Sequence, residues 1–465
     1  MTEYIVQDTS LSAVANKIRE KTGGVAPLEF PDEFVSEIDT LANTSDANAT
    51  AADIRKGKTA YVNAVKLTGT LTSLMPETPT DSILFYSPDA FTLGVFNKAK
   101  NWDGSLYYST DHETWVEWDG SMDITAARNA ADAAYLIYLK GSGVSYLTGA
   151  LQDARRFVIS GSSIKCVGNL NTLITTDIET PLATYACAYL FNKCGTVSFD
   201  IVLPHKKMGL NSYAYMFKEC YGLTAAPALP ATTLDISCYS YMFDGCLSLV
   251  NAPMLPATTL ASNCYNYMFN GCISLVNAPA LPATSLELAC YRGMFAGCTS
   301  LSTAPALPAT TLANGCYESM FTGCTALTTA PALPATTLAD TCYKYMFAEC
   351  SALTTVSALP ATTLAKSCYE YMFNYCTSLN TLPALSALTL AQRCYCYMFN
   401  RCSLIKMSTT QTGIYQTEFR IPTTGTGTMA SDAMGGMFAY TGGTFKSGPS
   451  INTSYYTSNT VISAT

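Results

Sequence analysis

His112 and His205 are the only histidines of the chain, and neither stands in a nucleophile motif. Asp103, Asp111, Glu113 and Glu117 lie close enough in sequence to supply the carboxylate pair of a glycoside hydrolase. A solvated hairpin face explains them more simply. Trp102, Trp115 and Trp118 are the three tryptophans; a Trp cluster can stack on sugar rings, although Trp in a small sandwich more often belongs to the core. The 19 cysteines are the largest reserve of reactive side chains. Most fall in two recurring slots, one running from Cys238 to Cys394 and the other from Cys220 to Cys402. A structural zinc site needs ligands clustered at short spacing, and these slots hold no His between them. A disulfide ladder would pair the coils and break their equivalence, so reduced, buried thiols are expected, each acting as a small hydrophobe. These residues assign no catalytic role, no metal site and no cofactor.

The slots belong to a repeat. The dipeptide Met-Phe recurs every 26 residues, at Met216-Phe217, Met242-Phe243, Met268-Phe269, Met294-Phe295, Met320-Phe321, Met346-Phe347, Met372-Phe373 and Met398-Phe399. A degenerate copy precedes them around Phe191 and Cys194. A fixed period of this length without insertions implies a solenoid, in which each coil buries its face on its neighbours. Within one coil, Cys238, Met242 and Cys246 are spaced i, i+4, i+8, and Tyr239 and Phe243 follow the same rule. That spacing predicts a short helix of roughly three turns. Cys238, Met242, Phe243 and Cys246, with Cys264, Met268, Phe269 and Cys272 one coil on, form the expected core ladder. The variable slots 236, 240 and 244 then fall on the outward face. That outward ladder offers Arg292, Glu318, Lys344 and Glu370, with Tyr375 and Arg401 nearby, as candidate binding residues. Thr258 and its equivalents are placed to cap the helix. Residues 249–255 should carry a short stacked strand with Leu249 and Leu255 inward, interrupted at Pro253. The strand side shows small residues (Thr224, Val250, Val276, Ser302, Thr328, Thr354) suited to a periodic ligand, and the sequence does not choose between the two faces. The recurring Leu-Pro-Ala-Thr-Thr lacks the Gly and apolar anchor of a sortase signal and reads as a turn. The Thr array also invites comparison with ice-binding solenoids, a reading set aside because a helix cap accounts for the threonines.

The fold class expected for the whole is multidomain α+β. A small helical N-terminal attachment module covers 1–48, with Leu11, Val14, Ala15 and Ile18 on one helical face and a second helix from Pro31. A turn-and-strand module with a linker covers 49–80, and a β-sandwich of short alternating strands covers 81–165. The solenoid of short strand plus short helix covers 166–402, and a Gly-, Thr- and Ser-rich cap covers 403–465, where Met437-Phe438 echoes the repeat. Charged residues make up only 13% and the net charge is −8, which leaves no electrostatic footprint for nucleic acid. No apolar run is long enough to insert in a membrane. The opening MTEYIVQDTS lacks the regions of a secretory signal and implies synthesis in a cytoplasm.

The Met-Phe-x-x-Cys-x-x-Leu unit resembles BspA-like leucine-rich repeats over residues 166–402. The resemblance implies recognition of host proteins or glycans, without catalysis. Residues 11–24 (Leu11-Ser-Ala-Val-Ala-Asn-Lys-Ile-Arg-Glu-Lys-Thr-Gly-Gly24) and 51–70 (Ala51-Ala-Asp-Ile-Arg-Lys-Gly-Lys-Thr through Leu67-Thr-Gly-Thr70) resemble modules of tail- and baseplate-associated proteins from phages of gut bacteria. At Ala64 that group often has Gly. The two resemblances together imply a virion tail fibre or tip protein assembled in the host cytoplasm. It would be attached to other tail or baseplate proteins through 1–80 and present its solenoid to a surface protein or glycan. A homo-oligomer is expected, a trimer among the options. A bacterial surface adhesin is the alternative and a polysaccharide depolymerase a distant third.

Overall fold

The structure is a computed structural model. It describes residues 76–98, 102–129, 134–148, 156–405 (except 384 and 388) and 432–441 (except 434), and the backbone of four further short strands. The chain divides into two compact units: Met1–Glu77 with Asn129–Ala134, and Thr78–Arg128 with Tyr135–Thr465. In the first, β1 (Thr59–Val62) and β2 (Val65–Thr68) form an antiparallel hairpin, the turn-and-strand element expected there. The helices expected within 1–48 lie outside the described residues.

The second unit begins with two sheets. Its strands are β3 (Ile83–Ser87), β4 (Thr92–Val95), β5 (Ser105–Ser109), β6 (Val116–Trp118), β7 (Ile124–Thr125), β8 (Ala127–Asn129), β9 (Ala134–Ser142), β10 (Phe157–Ser160), β11 (Ile164–Asn169) and β12 (Val197–Val202). The larger sheet runs β12-β11-β3-β9-β5-β6 and the smaller β10-β4-β7. Every residue of β3 is buried, as suits a central strand covered on both faces. Phe85 of the large sheet meets Phe157 of the small one edge-on at 6.4 Å, and Phe157 meets Phe191 at 5.8 Å. Phe191 in turn stacks on Phe217 at 5.4 Å. The solenoid therefore grows directly from the core of the sheets. The link is also made by backbone, because β11 spans 165/166 and pairs in parallel with β12 beyond the first, degenerate coil.

The coils overturn the α+β expectation. Among the described residues there is no α-helix, only strands and two single-turn 3₁₀ segments. The stretch expected to be a helix is a train of tight turns. The amides of Cys238, Ser240, Met242, Asp244 and Cys246 each donate to the carbonyl three residues back, at 3.1–3.2 Å. The alternate amides point the other way: Tyr239 donates to Cys264, Tyr241 to Asn266, Phe243 to Met268 and Gly245 to Asn270, at 2.7–3.0 Å. Every fourth residue is left-handed, with φ 55° at Ser237, 56° at Tyr241 and 73° at Gly245. An α-helix returns each interior amide to the carbonyl four residues back and has none to spare. Here half of them stitch coil to coil, so the solenoid is held by backbone bonds as well as by packing.

The inward stripe is as expected, because it depends only on which side chains point in. Cys238, Met242, Phe243, Cys246, Cys264, Met268, Phe269 and Cys272 are all fully buried. Phenylalanines stack from Phe191 through Phe399, and Phe438 continues the column at 5.6 Å although it is not in the 26-residue register. Residues 432–441 thus add one more arc: Tyr395, Tyr397, Phe399 and Arg401 donate their amides to Ala433, Gly435, Met437 and Ala439. β13 (Glu418–Arg420), before this arc in the chain, pairs antiparallel with β14 (Val461–Ser463), after it. The strand expected at 249–255 is reduced to isolated parallel bridges such as Ala225 to Asn251 and Asn251 to Asn277. Leu249 and Leu255 do point inward. With no helix present, Thr258 caps nothing; Thr258 and Thr259 are exposed.

Candidate functional site

In the sheets, the groups that could do chemistry are tied down. His112 Nε2 lies 2.8 Å from Asp81 Oδ1 and 3.3 Å from the buried Ser82 Oγ. A relay that activates serine needs the carboxylate and the hydroxyl on opposite ring nitrogens, and here they share one. The imidazole is stacked on Tyr138 at 4.4 Å. His205 is buried with Nδ1 3.2 Å from the Tyr213 hydroxyl; burial pushes its pKa down, against a hydrogen bond from the ring to the Thr176 backbone. Asp103 accepts from the Ser145 and Tyr146 amides, and Glu117 from Ser105 Oγ at 2.6 Å. Asp111 closes a turn by accepting from the Glu113 and Thr114 amides. Trp102 and Trp118 are core, 5.6 Å apart, whereas Trp115 is half-buried beneath the Lys140 ammonium at 3.8 Å.

The solenoid carries the more extended constellation. Tyr189, Tyr215, Tyr241 and Tyr267 stack outside the core with centroids 4.5–5.1 Å apart, and Tyr345, Tyr371 and Tyr397 repeat the arrangement at 4.8 Å. Partial burial raises the Tyr241 phenol to about 12, so this hydroxyl stays neutral. Between the two runs, at Gly293 and Ser319, rings are missing and charges take over in the adjacent slot. Arg292 Nη2 lies 3.2 Å from Glu318 Oε1, Lys344 Nζ 3.1 Å from Glu370 Oε2, and Arg393 Nη2 2.5 Å from Glu370 Oε1.

The ladder expected to be an exposed face is therefore largely a strut. The Glu370 side chain is only 3% exposed and is held from two neighbouring coils; Ser240 in the same slot and Asp244 in the next are buried too, whereas Ile236 in the third slot is exposed. The left-handed turns bring slots 240 and 244 against neighbouring coils, where a helix would have aimed them at solvent; slot 236 does face solvent. Burial alone would raise Glu370, but hydrogen bonds from Arg393, Ser367 and Lys344 outweigh it and hold its carboxyl below the usual range. In Glu318 burial wins over Arg292 and Lys344, and its pKa is raised.

Tyr375 and Arg401 do reach solvent. The Arg401 guanidinium sits 4.9 Å from the Tyr375 ring and 4.6 Å from the Tyr440 ring, clamped between two exposed aromatics. Tyr440 had no role in the sequence reading. The Met437-Phe438 echo was the signal, because aligning Phe438 with Phe399 sets Tyr440 over Arg401. Among the described residues no group of His, Cys, Asp and Glu is arranged to hold a metal ion.

Comparison with known proteins bears on the repeats. Residues 210–331 and 291–420 match the family described as BspA type Leucine rich repeat region, in six copies. The repeats within residues 210–420 are thus of the BspA leucine-rich type. No curated protein and no solved structure matches the chain.

Proposed function

We propose that this chain is a recognition protein, a phage tail fibre or tail-tip component that presents its solenoid to a bacterial surface. The observation that carries recognition is the clamp of Tyr375, Arg401 and Tyr440 at the far end of the BspA-type repeats. Exposed aromatic and arginine side chains, pre-ordered against each other, lose little entropy on binding and are the usual anchors of an interface. Arg401 adds a planar donor fork for a carboxylate or phosphate on the partner. Support for the virion setting comes from residues 11–24 and 51–70, which resemble phage tail and baseplate modules and would attach the chain through 1–80. A bacterial surface adhesin is the second reading, favoured by the repeat type alone.

The experiment is adsorption of fluorescently labelled full-length chain to a panel of gut bacterial strains. The wild type should label particular strains and block adsorption of a phage carrying the protein, and Arg401→Ala with Tyr440→Ala should lose at least tenfold in binding. Binding untouched by both substitutions moves the site elsewhere on the solenoid. A chain that labels no strain removes the recognition role. Immunogold labelling of phage particles separates tail component from adhesin.

A further inference from the structure

Each coil has a second long side, and it carries no charge. Residues 221–234, 247–260, 273–286, 299–312, 325–338, 351–364 and 377–390 contain no Asp, Glu, Lys or Arg. Burial does not explain this. In the coil of Leu247, the residues Val250, Asn251, Met254, Pro256, Thr258 and Thr259 are all exposed, and Met254 is 83% exposed. One step beyond, where the chain turns onto the other side, exposed positions include Asp235, Glu287, Asp340 and Lys366. Solvated positions on this solenoid therefore accept charge, except across this one face.

The face is also regular. Parallel bridges tie it along two rails, Ala225–Asn251–Asn277 with Thr329–Thr355 on one, and Ser285–Thr311 with Thr337–Thr363 on the other; the second rail continues through Thr233 to Lys207, which lies before the first uncharged coil. Leu247, Val250, Met254, Ile273 and Val276 add an exposed apolar cluster on its first coils. Backbone rails without charges are what soluble proteins ordinarily avoid, because they invite another chain to pack on them. A charged protein finds no counter-charge here. A sugar finds no carboxylate and, Tyr221 apart, no aromatic platform.

We infer that this uncharged face packs against the same face of a second copy of the chain. In a two-fold contact the patch meets its own copy, so a patch of one charge sign would oppose itself, and a charge-free patch avoids that cost. Seven coils at ~4.8 Å and a ten-residue width at up to ~3.3 Å per residue give a face of roughly 1,000 Å² per copy. A stable complex needs about 800 Å² from each partner. The charged positions at the edge then form a polar rim around an uncharged centre. The pairing leaves the Tyr375–Arg401–Tyr440 clamp, and hence the recognition reading, as a separate matter.

The test is light scattering and sedimentation of the full chain between about 1 and 50 µM. The wild type should run as an oligomer. Val276→Lys and Thr310→Lys, made separately, should each lower the mass, while Asn314→Lys on the rim should not. Near-ultraviolet circular dichroism identifies any variant that has lost its fold, and Thr284→Lys then replaces it. A wild type that is monomeric over this range overturns the proposal. So does an oligomer whose mass every folded face variant leaves unchanged. A monomer that neutral glucan retards in a gel would give the face to a sugar instead, and equally overturns it.

Discussion

The ring of Tyr267 lies directly over Gly293: a β-carbon added to Gly293 would stand 2.3 Å from Tyr267 Cε1. The second run ends in the same way, Tyr397 lying over Gly436 at 2.4 Å. Each run of outward tyrosines is thus closed by a glycine whose missing side chain makes room for the last ring. Gly293 is also left-handed, at φ 59°.

Gly293→Ala should therefore cost about 1–3 kcal/mol, combining the left-handed penalty with displacement of the ring. Removing the ring separates the two terms. In a Tyr267→Ala background the cost of Gly293→Ala should shrink to the backbone part alone, and the coupling can be read from denaturant unfolding as a double-mutant cycle. Equal costs in both backgrounds would mean that the ring does not need the glycine.

The two cysteine slots should respond differently to serine. Cys272 Sγ donates to the Phe243 carbonyl at 3.1 Å, a bond repeated up the ladder by Cys246, Cys298, Cys324 and Cys350. A serine hydroxyl at 272 inherits that acceptor. The Cys264 sulfur, held by backbone hydrogen bonds from Ala261 and Tyr265, has no such short carbonyl acceptor among the described residues, so Cys264→Ser buries a hydroxyl at a cost of about 1–3 kcal/mol. Chemical denaturation should rank Cys264→Ser as the more damaging change, and the reverse order would contradict this geometry.

The inward stripe was legible because Cys238, Met242, Cys246, Tyr239 and Phe243 must be apolar whatever backbone carries them. Their i, i+4 spacing cannot separate an α-helix from successive tight turns that advance four residues at a time. Gly245, Gly271, Gly297 and Gly323 held the missing information: a glycine recurring inside a supposed helix costs about 1 kcal/mol each time, and the left-handed turn is what it serves. The burial of Glu370 was hidden for another reason, since it depends on Lys344 and Arg393 in adjacent coils. Exposure of Arg401 was readable, but its second aromatic partner was not, because the last arc departs from the 26-residue register.

Thiol accessibility tests the cysteine reading as a whole. All 19 cysteines are free and buried, and burial pushes their thiols up, Cys238 to about 12 and Cys396 to about 11. A thiolate is the reactive form, so neutral, covered thiols should be inert. Ellman's reagent should find almost none in the native protein at pH 8 and all 19 after unfolding in guanidinium without reductant. A shortfall after unfolding would reveal disulfides.

Glu370 and Glu318 sit in neighbouring struts with their pKa values displaced in opposite directions, and this fixes the sign of their pH dependence. The folded pKa of Glu370 is lowered, so its stabilisation is present above the ordinary carboxylate value and is lost as pH falls through the folded one. Glu370→Gln should thus cost about 1.5–3 kcal/mol near neutrality, the scale of hydrogen bonds to a charged group. That cost should diminish as the pH falls from the ordinary carboxylate value of about 4.3 through the lowered folded one. The folded pKa of Glu318 is raised, so its contribution is fully present below the unfolded pKa and is lost as pH rises through the folded value. Glu318→Gln, which cannot ionise, should lose nothing as pH rises, and near neutrality it should match or exceed the wild type. Melting temperatures of the two variants between pH 3 and 8 check both signs, and parallel curves would show that the two carboxylates feel the same surroundings.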